Sequence, residues 1–209
     1  MPPTIRLATG DDAAAVRAIY APFCAESSHV SFEVEPPSVE EMRRRIETTL
    51  GRHPWLVAEE GGEILGYVYA GPHRERAAYR WSVDVTVYIG ERRRSGVGRG
   101  LYRSLFEILK RQGFVSAYAG ATLPNEGSVG LHRAMGFEEV GVYRRVGFKA
   151  GAWRDVVWWR LPLREPPDDP AEPLALDEAR RRDGCGAALA SGLDLIRTAD
   201  LNPARNPTR

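Results

Sequence analysis

Residues 92–100 read Arg92-Arg93-Arg94-Ser95-Gly96-Val97-Gly98-Arg99-Gly100, between a predicted strand that ends at Ile89 and a predicted helix over residues 101–112. Glycines at such a junction leave backbone N–H groups uncovered by side chains, at the positive end of the helix dipole. Backbone amides in that position bind phosphate groups. The stretch therefore predicts an anion-binding loop in a mixed α/β fold.

Two common phosphate loops do not match this stretch. A dinucleotide fingerprint needs a third glycine where the chain has Leu101, and a P-loop needs a Gly-Lys-Ser/Thr sequence. The spacing that fits is Arg/Gln-x-x-Gly-x-Gly/Ala, present as residues 93–98. A solvated basic turn is the alternative. A nucleic-acid patch is disfavoured because no aromatic residues alternate with the arginines.

Composition and charge exclude several classes of protein. The 209 residues carry a formal net charge of +1, so any anion recognition must be local. Cys24 and Cys185 lie far apart, which argues against a disulfide framework and against a cysteine metal site. The N-terminus resembles no signal peptide, and no apolar run reaches membrane-spanning length. We expect a cytoplasmic protein that needs no metal and binds neither membrane nor nucleic acid.

Hydrophobic periodicity predicts the order β-α-α-β-β-β-α-β-α-β-β, with a mostly antiparallel first half. The Gly61-Gly62 pair indicates a hairpin. The predicted strands are 4–8, 55–59, 63–70, 79–89, 115–121, 138–145 and 153–163, and the predicted helices are 13–24, 38–50, 101–112 and 125–135. We expect one α/β domain over residues 1–164, a proline and acid linker over 165–173, and a tail over 174–209 that is disordered or forms a peripheral helix.

Two side chains are candidates for proton transfer. Alternation over residues 81–89 puts valines on one face and Asp84 on the other. Aspartate is depleted in strands, so Asp84 is a candidate general base, and the alternative is a solvated carboxylate or an ion pair with Arg80. Helical spacing places Asn125, Ser128 and His132 in one polar stripe. The alternatives are an N-cap for Asn125 and a structural role for His132.

The segment after the second hairpin strand, Gly71-Pro72-His73-Arg74-Glu75-Arg76-Ala77-Ala78-Tyr79, carries two arginines. If the segment is extended, Arg74 and Arg76 point the same way and suit the oxygens of a carboxylate or phosphinate. Two solvated loop arginines are the alternative.

Several further motifs occur in a consistent order: Pro54-Trp55-Leu56-Val57-Ala58-Glu59, Tyr69-Ala70-Gly71-Pro72, Thr86-Val87-Tyr88, Leu123-Pro124-Asn125, Leu131-His132 and Gly151-Ala152-Trp153-Arg154-Asp155-Val156. With the glycine loop, they resemble the phosphinothricin acetyltransferase subfamily of the GNAT superfamily of N-acetyltransferases. The resemblance covers roughly residues 5–163. It implies the GNAT fold, a mixed and centrally splayed sheet flanked by helices, with acetyl-CoA as co-substrate.

The resemblance also implies roles for individual residues. Asp84 stands where relatives have a glutamate general base, so a water relay becomes more favourable with the shorter side chain, and His132 assists catalysis. Phe32 walls the acceptor pocket, where Arg74 and Arg76 hold an anionic amino acid. The implied coenzyme A contacts are Val87, Tyr88, Ile89, Arg93, Arg94, Ser95, Gly96, Val97, Gly98, Arg99, Gly100, Asn125 and Ser128.

Our preferred hypothesis has Asp84 and His132 acting together, one holding charge and one shuttling the proton. The acceptor is a small amino acid such as phosphinothricin, methionine sulfoximine or methionine sulfone. Glu33 disfavours phosphinothricin, because herbicide-detoxifying relatives carry a basic residue there. Relatives are homodimers, and residues 156–159, Val-Val-Trp-Trp, form either a dimer surface or part of the sheet. The alternatives are a non-catalytic acetyl-CoA sensor and an acetyltransferase for polyamines or peptide amines.

Overall fold

The computed structural model describes residues 1–92 and 94–197. Arg93, a predicted coenzyme A contact, and residues 198–209 lie outside the described residues. The helices are α1 (Ala13–Cys24), α2 (Val39–Leu50), α3 (Val97–Gln112), α4 (Glu126–Ala134), α5 (Leu176–Arg181) and α6 (Cys185–Ala190). The strands are β1 (Thr4–Leu7), β2 (Trp55–Glu60), β3 (Glu63–Pro72), β4 (Ser82–Ile89), β5 (Ser116–Thr122), β6 (Glu138–Lys149) and β7 (Ala152–Pro162).

Across the described residues, the seven strands form one sheet in the order β1-β2-β3-β4-β5-β7-β6. All neighbours are antiparallel except β4 and β5, which run parallel. The β2–β3 hairpin turns at Gly61 and Gly62, whose φ angles of 63° and 86° favour glycine, as the sequence predicted. The mixed sheet flanked by helices confirms the predicted fold class.

The two faces of the sheet carry separate cores. One face packs α1 and α2 against side chains that include Trp55, Val57 and Tyr67. The opposite face packs α3 against a larger cluster that includes Val83, Val85 and the α3 leucines. Even-numbered positions of β4 therefore face α1 and α2, and odd-numbered positions face α3.

The centre of the sheet is forked. β4 pairs with β5 only from Ser82 to Asp84, opposite Ser116 to Tyr118, although β4 continues to Ile89 and β5 to Thr122. On its other edge β4 stays paired with β3 as far as Ile89. Among the described residues, no strand pairs with this edge of β4 beyond Asp84. The sheet therefore opens into a cleft whose vertex is Asp84.

The segment after the linker forms two short helices that pack along α3. The Ser104 hydroxyl donates to the Leu189 carbonyl at 2.7 Å, and the Gln112 side chain donates to the Leu174 carbonyl at 2.9 Å. Apolar side chains of this segment join the core of the α3 face; they are Leu176, Ala188 and Ile196. Helical periodicity over residues 174–197 was too weak to predict this, because its two helices are six residues each.

The tail also contacts the glycine loop. A Cβ on Gly96 would collide with the Leu195 carbonyl, and one on Gly100 would lie 2.6 Å from the Gly192 carbonyl. The Arg197 amide donates to the Ser95 carbonyl at 2.9 Å. Two glycines that sequence reasoning assigned to phosphate alone are therefore also required for close approach of the tail backbone.

Leu176→Ala should lower the free energy of unfolding by about 2–5 kcal/mol, because it opens a cavity at a fully buried position between α5 and α3. Urea unfolding followed by circular dichroism measures the change. The control is Arg181→Ala on the exposed end of α5, which should stay within about 0.5 kcal/mol of the parent. Equal effects of the two substitutions would contradict packing of the tail on α3.

Candidate active site

Asp84 lies at the vertex of the fork and is paired with a histidine. Its Oδ1 is 2.6 Å from Nδ1 of His73, which follows the end of β3. When the Asp84 carboxylate is ionised it only accepts hydrogen bonds, and Nδ1 of His73 then carries the proton. The alternative partner Arg80 instead forms an ion pair with Glu172. Asp84 is therefore neither freely solvated nor bound to Arg80.

The environment of Asp84 makes its carboxyl group more basic. Burial raises the pKa of Asp84 above its ordinary value, and the hydrogen bond from His73 acts in the opposite direction. One third of the side chain remains exposed, 34% against 12% for His73. The carboxylate therefore faces the open side of the pair, where a substrate proton could reach it.

The space beside Asp84 is open. Gly71 lies directly opposite Asp84 in the antiparallel register of β3 and β4. A Cβ built on Gly71 would meet no atom within 4 Å. Because directly opposite residues of an antiparallel pair project to the same face, this gap adjoins the carboxylate.

His132 lies on the α3 face, away from Asp84. Its Nδ1 is 2.7 Å from the Ser128 carbonyl, and its Nε2 is 3.1 Å from the Tyr102 hydroxyl. The ring stacks on Trp159 and is 3% exposed. Burial lowers the pKa of His132, which favours the neutral imidazole. The structure does not bring Asp84 and His132 together, because alternation along β4 turns Asp84 toward the other face.

The polar stripe predicted on α4 is present as a hydrogen-bonded row. Asn125 Oδ1 accepts the Ser128 amide at 3.1 Å, so Asn125 is the N-cap of α4. The Ser128 hydroxyl lies 3.2 Å from Nδ1 of His132. The row connects the start of α4 to the buried histidine.

The glycine loop leads into an uncapped helix N-terminus. α3 follows Gly96, whose φ is 86°, and no side chain caps it. The amides of Val97, Gly98 and Arg99 belong to the first turn, where helical N–H groups have no intrahelical partner. The positive φ of 59° at Arg94 turns the backbone into this helix. The arrangement suits an anion.

The free edge of β4 lies beside this helix start. Val87, Tyr88 and Ile89 pair with β3 on one edge only. The Tyr88 side chain packs on Tyr20 and Phe23 on the α1 face, with ring centroids 4.9 Å and 5.0 Å away. Among the described residues, the backbone N–H and C=O groups on the other edge of this segment are therefore not used by a neighbouring strand.

The arginine segment is bent instead of extended, so the extended conformation assumed for the prediction about Arg74 and Arg76 is wrong. Arg76 begins a short 3₁₀ turn, Ala77–Tyr79. The Arg74 guanidinium lies 5.6 Å from the ring centroid of Trp158. The positive charge of Arg74 also favours the ionised form of Asp84, which opposes the effect of burial on the pKa of Asp84. The structure thus places Arg74 at the site, while Arg76 caps the turn beside it.

The loop between α1 and α2 covers the same face. Phe32 is 42% exposed, and its ring lies directly over Gly147 of β6. The Glu33 carboxylate pairs with Arg45 of α2 at 2.7 Å. Below Glu33, a cavity of about 250 Å³ is lined by tyrosines of α1 and of the sheet; they are Tyr20, Tyr67, Tyr69 and Tyr88.

A buried lysine holds this loop in place. Lys149 Nζ donates to the carbonyls of Cys24 and Ser31, at 3.1 Å and 2.8 Å, and also to that of Glu33. The side chain enters from the end of β6 and is buried. Lys149 and His73 are the two residues that sequence reasoning missed. The register of β3 and β4 could have indicated His73, because it lies diagonally from Asp84 across two strands.

The part of the chain that the structure describes contains no cluster of three or more His, Cys, Asp or Glu that could hold a metal ion. Within residues 1–92 and 94–197, no helix is both long and apolar enough to cross a membrane.

Val157 and Trp159 are buried in the sheet, the second of the two alternatives for the Val-Val-Trp-Trp run.

Residues 5–158 match the family model described as an acetyltransferase (GNAT) domain, a span that holds the fork, the glycine loop and both site histidines. The chain belongs to the GNAT acetyltransferase family. This acetyltransferase is similar to a phosphinothricin N-acetyltransferase of Streptomyces viridochromogenes, at 42% identity over 83% of the chain and 95% of that protein. The family and the N-acetyltransferase activity predicted from the sequence are confirmed.

Two further similarities concern acceptor and donor. An L-methionine sulfoximine/L-methionine sulfone acetyltransferase of Pseudomonas aeruginosa is 37% identical to the acetyltransferase over 53% of this chain and 66% of that protein. The crystal structure of a phosphinothricin acetyltransferase from Sinorhizobium meliloti in complex with AcCoA superposes with a TM-score of 0.76. It is 32% identical, covering 84% of this chain and 99% of that chain.

Lys149→Met should lower the free energy of unfolding by about 1–3 kcal/mol, because it leaves buried carbonyls without a donor. Thermal or urea unfolding measures the loss. Lys110, the other lysine of the chain, is exposed on α3 and, within the described residues, pairs with Glu107 of the same helix, so Lys110→Met is the matched control. A Lys149 variant as stable as the Lys110 variant would remove the lysine from its assigned role.

Proposed function

We propose that the chain transfers the acetyl group of acetyl-CoA to the α-amine of a small amino acid of the phosphinothricin or methionine sulfoximine type. The observation that carries the proposal is the fork between β4 and β5, with Asp84 at its vertex. The fork joins an anion-binding helix start on one side to an open space beside a basic carboxylate on the other. The names of the relatives support the acceptor class.

The donor would bind along the free edge of β4 and the start of α3. The amides of Val97, Gly98 and Arg99 would hold the pyrophosphate, and Arg94 and Ser95 would also contact it. Arg93 stays a coenzyme A contact predicted from the sequence alone. The backbone of Val87, Tyr88 and Ile89 would pair with the amides of the pantetheine arm. Asn125 and Ser128 would contact coenzyme A from α4. Gly96 and Gly100 shape the loop and admit the tail behind it.

Asp84 would serve as the general base. The substrate ammonium gives one proton to Asp84 Oδ2, directly or through one water, and so gains a lone pair. The amine nitrogen then forms a bond to the thioester carbonyl carbon, and the carbon–sulfur bond breaks. The second proton passes from the nitrogen to the departing thiolate, which leaves as the thiol of coenzyme A. Direct transfer needs no nucleophilic cysteine, and Cys24 is buried in the α1 core.

His132 would act from the donor side of the sheet. It cannot share a proton directly with Asp84, because the sheet lies between them. Its ring lies within hydrogen-bond distance of the Tyr102 hydroxyl and stacks on Trp159 on that face. We therefore propose that His132 holds Ser128 and α4 in place beside the donor, instead of pairing with Asp84.

The acceptor would lie on the α1 face. Arg74 would bind its carboxylate, with Arg76 nearby, and Phe32 and Trp158 would wall the pocket. The ion pair with Arg45 compensates the charge of Glu33. That pairing removes the objection to a second acidic group on the acceptor, so phosphinothricin and methionine sulfoximine are both compatible.

Thiol release from acetyl-CoA, measured against a panel of acceptors, tests the proposal. The panel contains phosphinothricin, L-methionine sulfoximine, L-methionine sulfone, spermidine and a short peptide, and product NMR identifies the acetylated nitrogen. We expect turnover with the amino acids and acetylation at the α-amine. Turnover with spermidine or peptide alone contradicts the acceptor class, and acetyl-CoA binding without turnover indicates a sensor.

Asp84→Asn should lower kcat by about 10²–10⁴-fold, because the amide cannot accept the ammonium proton. The Kd of acetyl-CoA, measured by calorimetry, should stay within about twofold, because the proposed donor contacts are elsewhere. The exposed Asp177→Asn of α5 is the control. A kcat equal to that of the parent would exclude Asp84 as the base.

We also propose a homodimer formed through the β6–β7 hairpin, at the edge of the sheet. This hairpin exposes apolar side chains; they are Val140, Tyr143, Val146, Phe148 and Trp153. Phe148→Glu should halve the mass in sedimentation equilibrium, because a charge enters the apolar contact. Val39→Glu on α2 is the matched control, and an unchanged mass for Phe148→Glu contradicts this interface.

A further inference from the structure

We propose that His73 is the positioning residue of Asp84: its Nδ1–H fixes the carboxylate so that the short aspartate side chain presents its second oxygen to the substrate amine. This inference rests on the proposed function, because it assigns a partner to the proposed base. It differs from the preferred sequence-based hypothesis, in which His132 was that partner.

The His73 ring is held on several sides. It stacks on Tyr118 of β5 with centroids 4.2 Å apart and an interplanar angle of 15°. Tyr79 approaches it edge-on at 5.9 Å, and Trp158 of β7 at 6.3 Å. A ring confined in this way offers its Nδ1–H in one direction, toward Asp84 Oδ1 at 2.6 Å.

The backbone register explains why the two side chains meet. Gly71 is paired with Asp84, and His73 lies two residues further along the same segment, on the diagonal. Gly71 contributes no side chain, so nothing separates the imidazole from the carboxylate. His73 hydrogen-bonds Oδ1 of Asp84, and the open space beside Gly71 keeps Oδ2 accessible to the acceptor.

The step moves one proton and leaves His73 unchanged. The substrate ammonium loses its proton to Asp84 Oδ2, while Nδ1 of His73 keeps its own proton and its hydrogen bond to Oδ1. After transfer, the proton on Oδ2 passes to solvent through the open side of the pocket. The titratable or charged groups that face the pair are Arg74, Tyr69 of β3, Tyr79 of the 3₁₀ turn and Tyr118 of β5.

The hydrogen bond has a consequence for the pH profile. Because His73 stabilises the ionised form of Asp84, removing its donor raises the pKa of the carboxyl group. The base must be ionised to act, so activity then requires a higher pH. A residue that only packed against the sheet would lower activity without moving the acidic limb of the profile.

Three variants of the full chain separate hydrogen bonding from packing. His73→Phe keeps a ring on Tyr118 and removes the donor. His73→Asn removes the ring and keeps an N–H donor near the position of Nδ1. His53→Phe is the matched control, because His53 is a buried histidine stacked on Phe114, outside the proposed site.

We expect His73→Phe to lower kcat/KM by about 10- to 100-fold, the worth of one hydrogen bond to a charged group. Its acidic limb should move to higher pH, with an unchanged Kd for acetyl-CoA. His73→Asn should recover most of the activity and the parental limb, and His53→Phe should match the parent. A His73→Phe enzyme whose acidic limb stays in place overturns the inference.

A second readout needs no turnover. Proton NMR of the parent should show a downfield Nδ1–H resonance of His73 that is lost in His73→Phe and moves upfield in Asp84→Asn. An unchanged resonance in Asp84→Asn also overturns the inference. Absence of turnover by the parent with every acceptor refutes the proposed function. Turnover by the parent, together with a His73→Phe variant whose acidic limb is not shifted, refutes the role of His73 alone.

Discussion

The loss of backbone pairing between β4 and β5 after Asp84 is the constraint on which the site depends. Parallel strands ordinarily continue their ladder, because an unpaired backbone group in a sheet interior costs free energy. Here three pairs form and the strands then part. The parting leaves one edge of β4 open, brings the start of α3 beside that edge and exposes a carboxylate at the vertex. In the proposed function, donor and acceptor would then meet through the sheet instead of on one side of it.

The tail covers the outer side of α3, so this helix is buried between the sheet and the tail. Ser104 and Gln112, which would be polar surface residues on a two-layer domain, satisfy backbone groups of residues 174–192. The glycine loop is thereby confined between the sheet and the tail. Its glycines serve two constraints together: they keep the first helical turn uncovered, and they let another backbone approach within contact distance.

Much of the fold could be predicted from the sequence because it depends on local patterns. Strand alternation, the Gly61-Gly62 hairpin and the glycine loop are such patterns, and all are present. The partners of Asp84 and His132 could not be predicted this way, because they depend on which face of the sheet each residue takes. Asp84 was assigned to its correct face, but the face reached by α4 depends on packing over long separations. The bent arginine segment depended in turn on the 3₁₀ turn after Arg76.

Lys149 has a consequence for the chemical reactivity of the molecule. The chain contains two lysines and many arginines. Since the Lys149 ammonium is enclosed by backbone carbonyls, Lys110 near the end of α3 is the side-chain amine that solvent reaches. Among the lysine side chains, reagents that acylate amines would therefore modify Lys110, at the opposite end of α3 from the glycine loop. A protein that handles an activated acetyl group thus presents almost no lysine of its own to it.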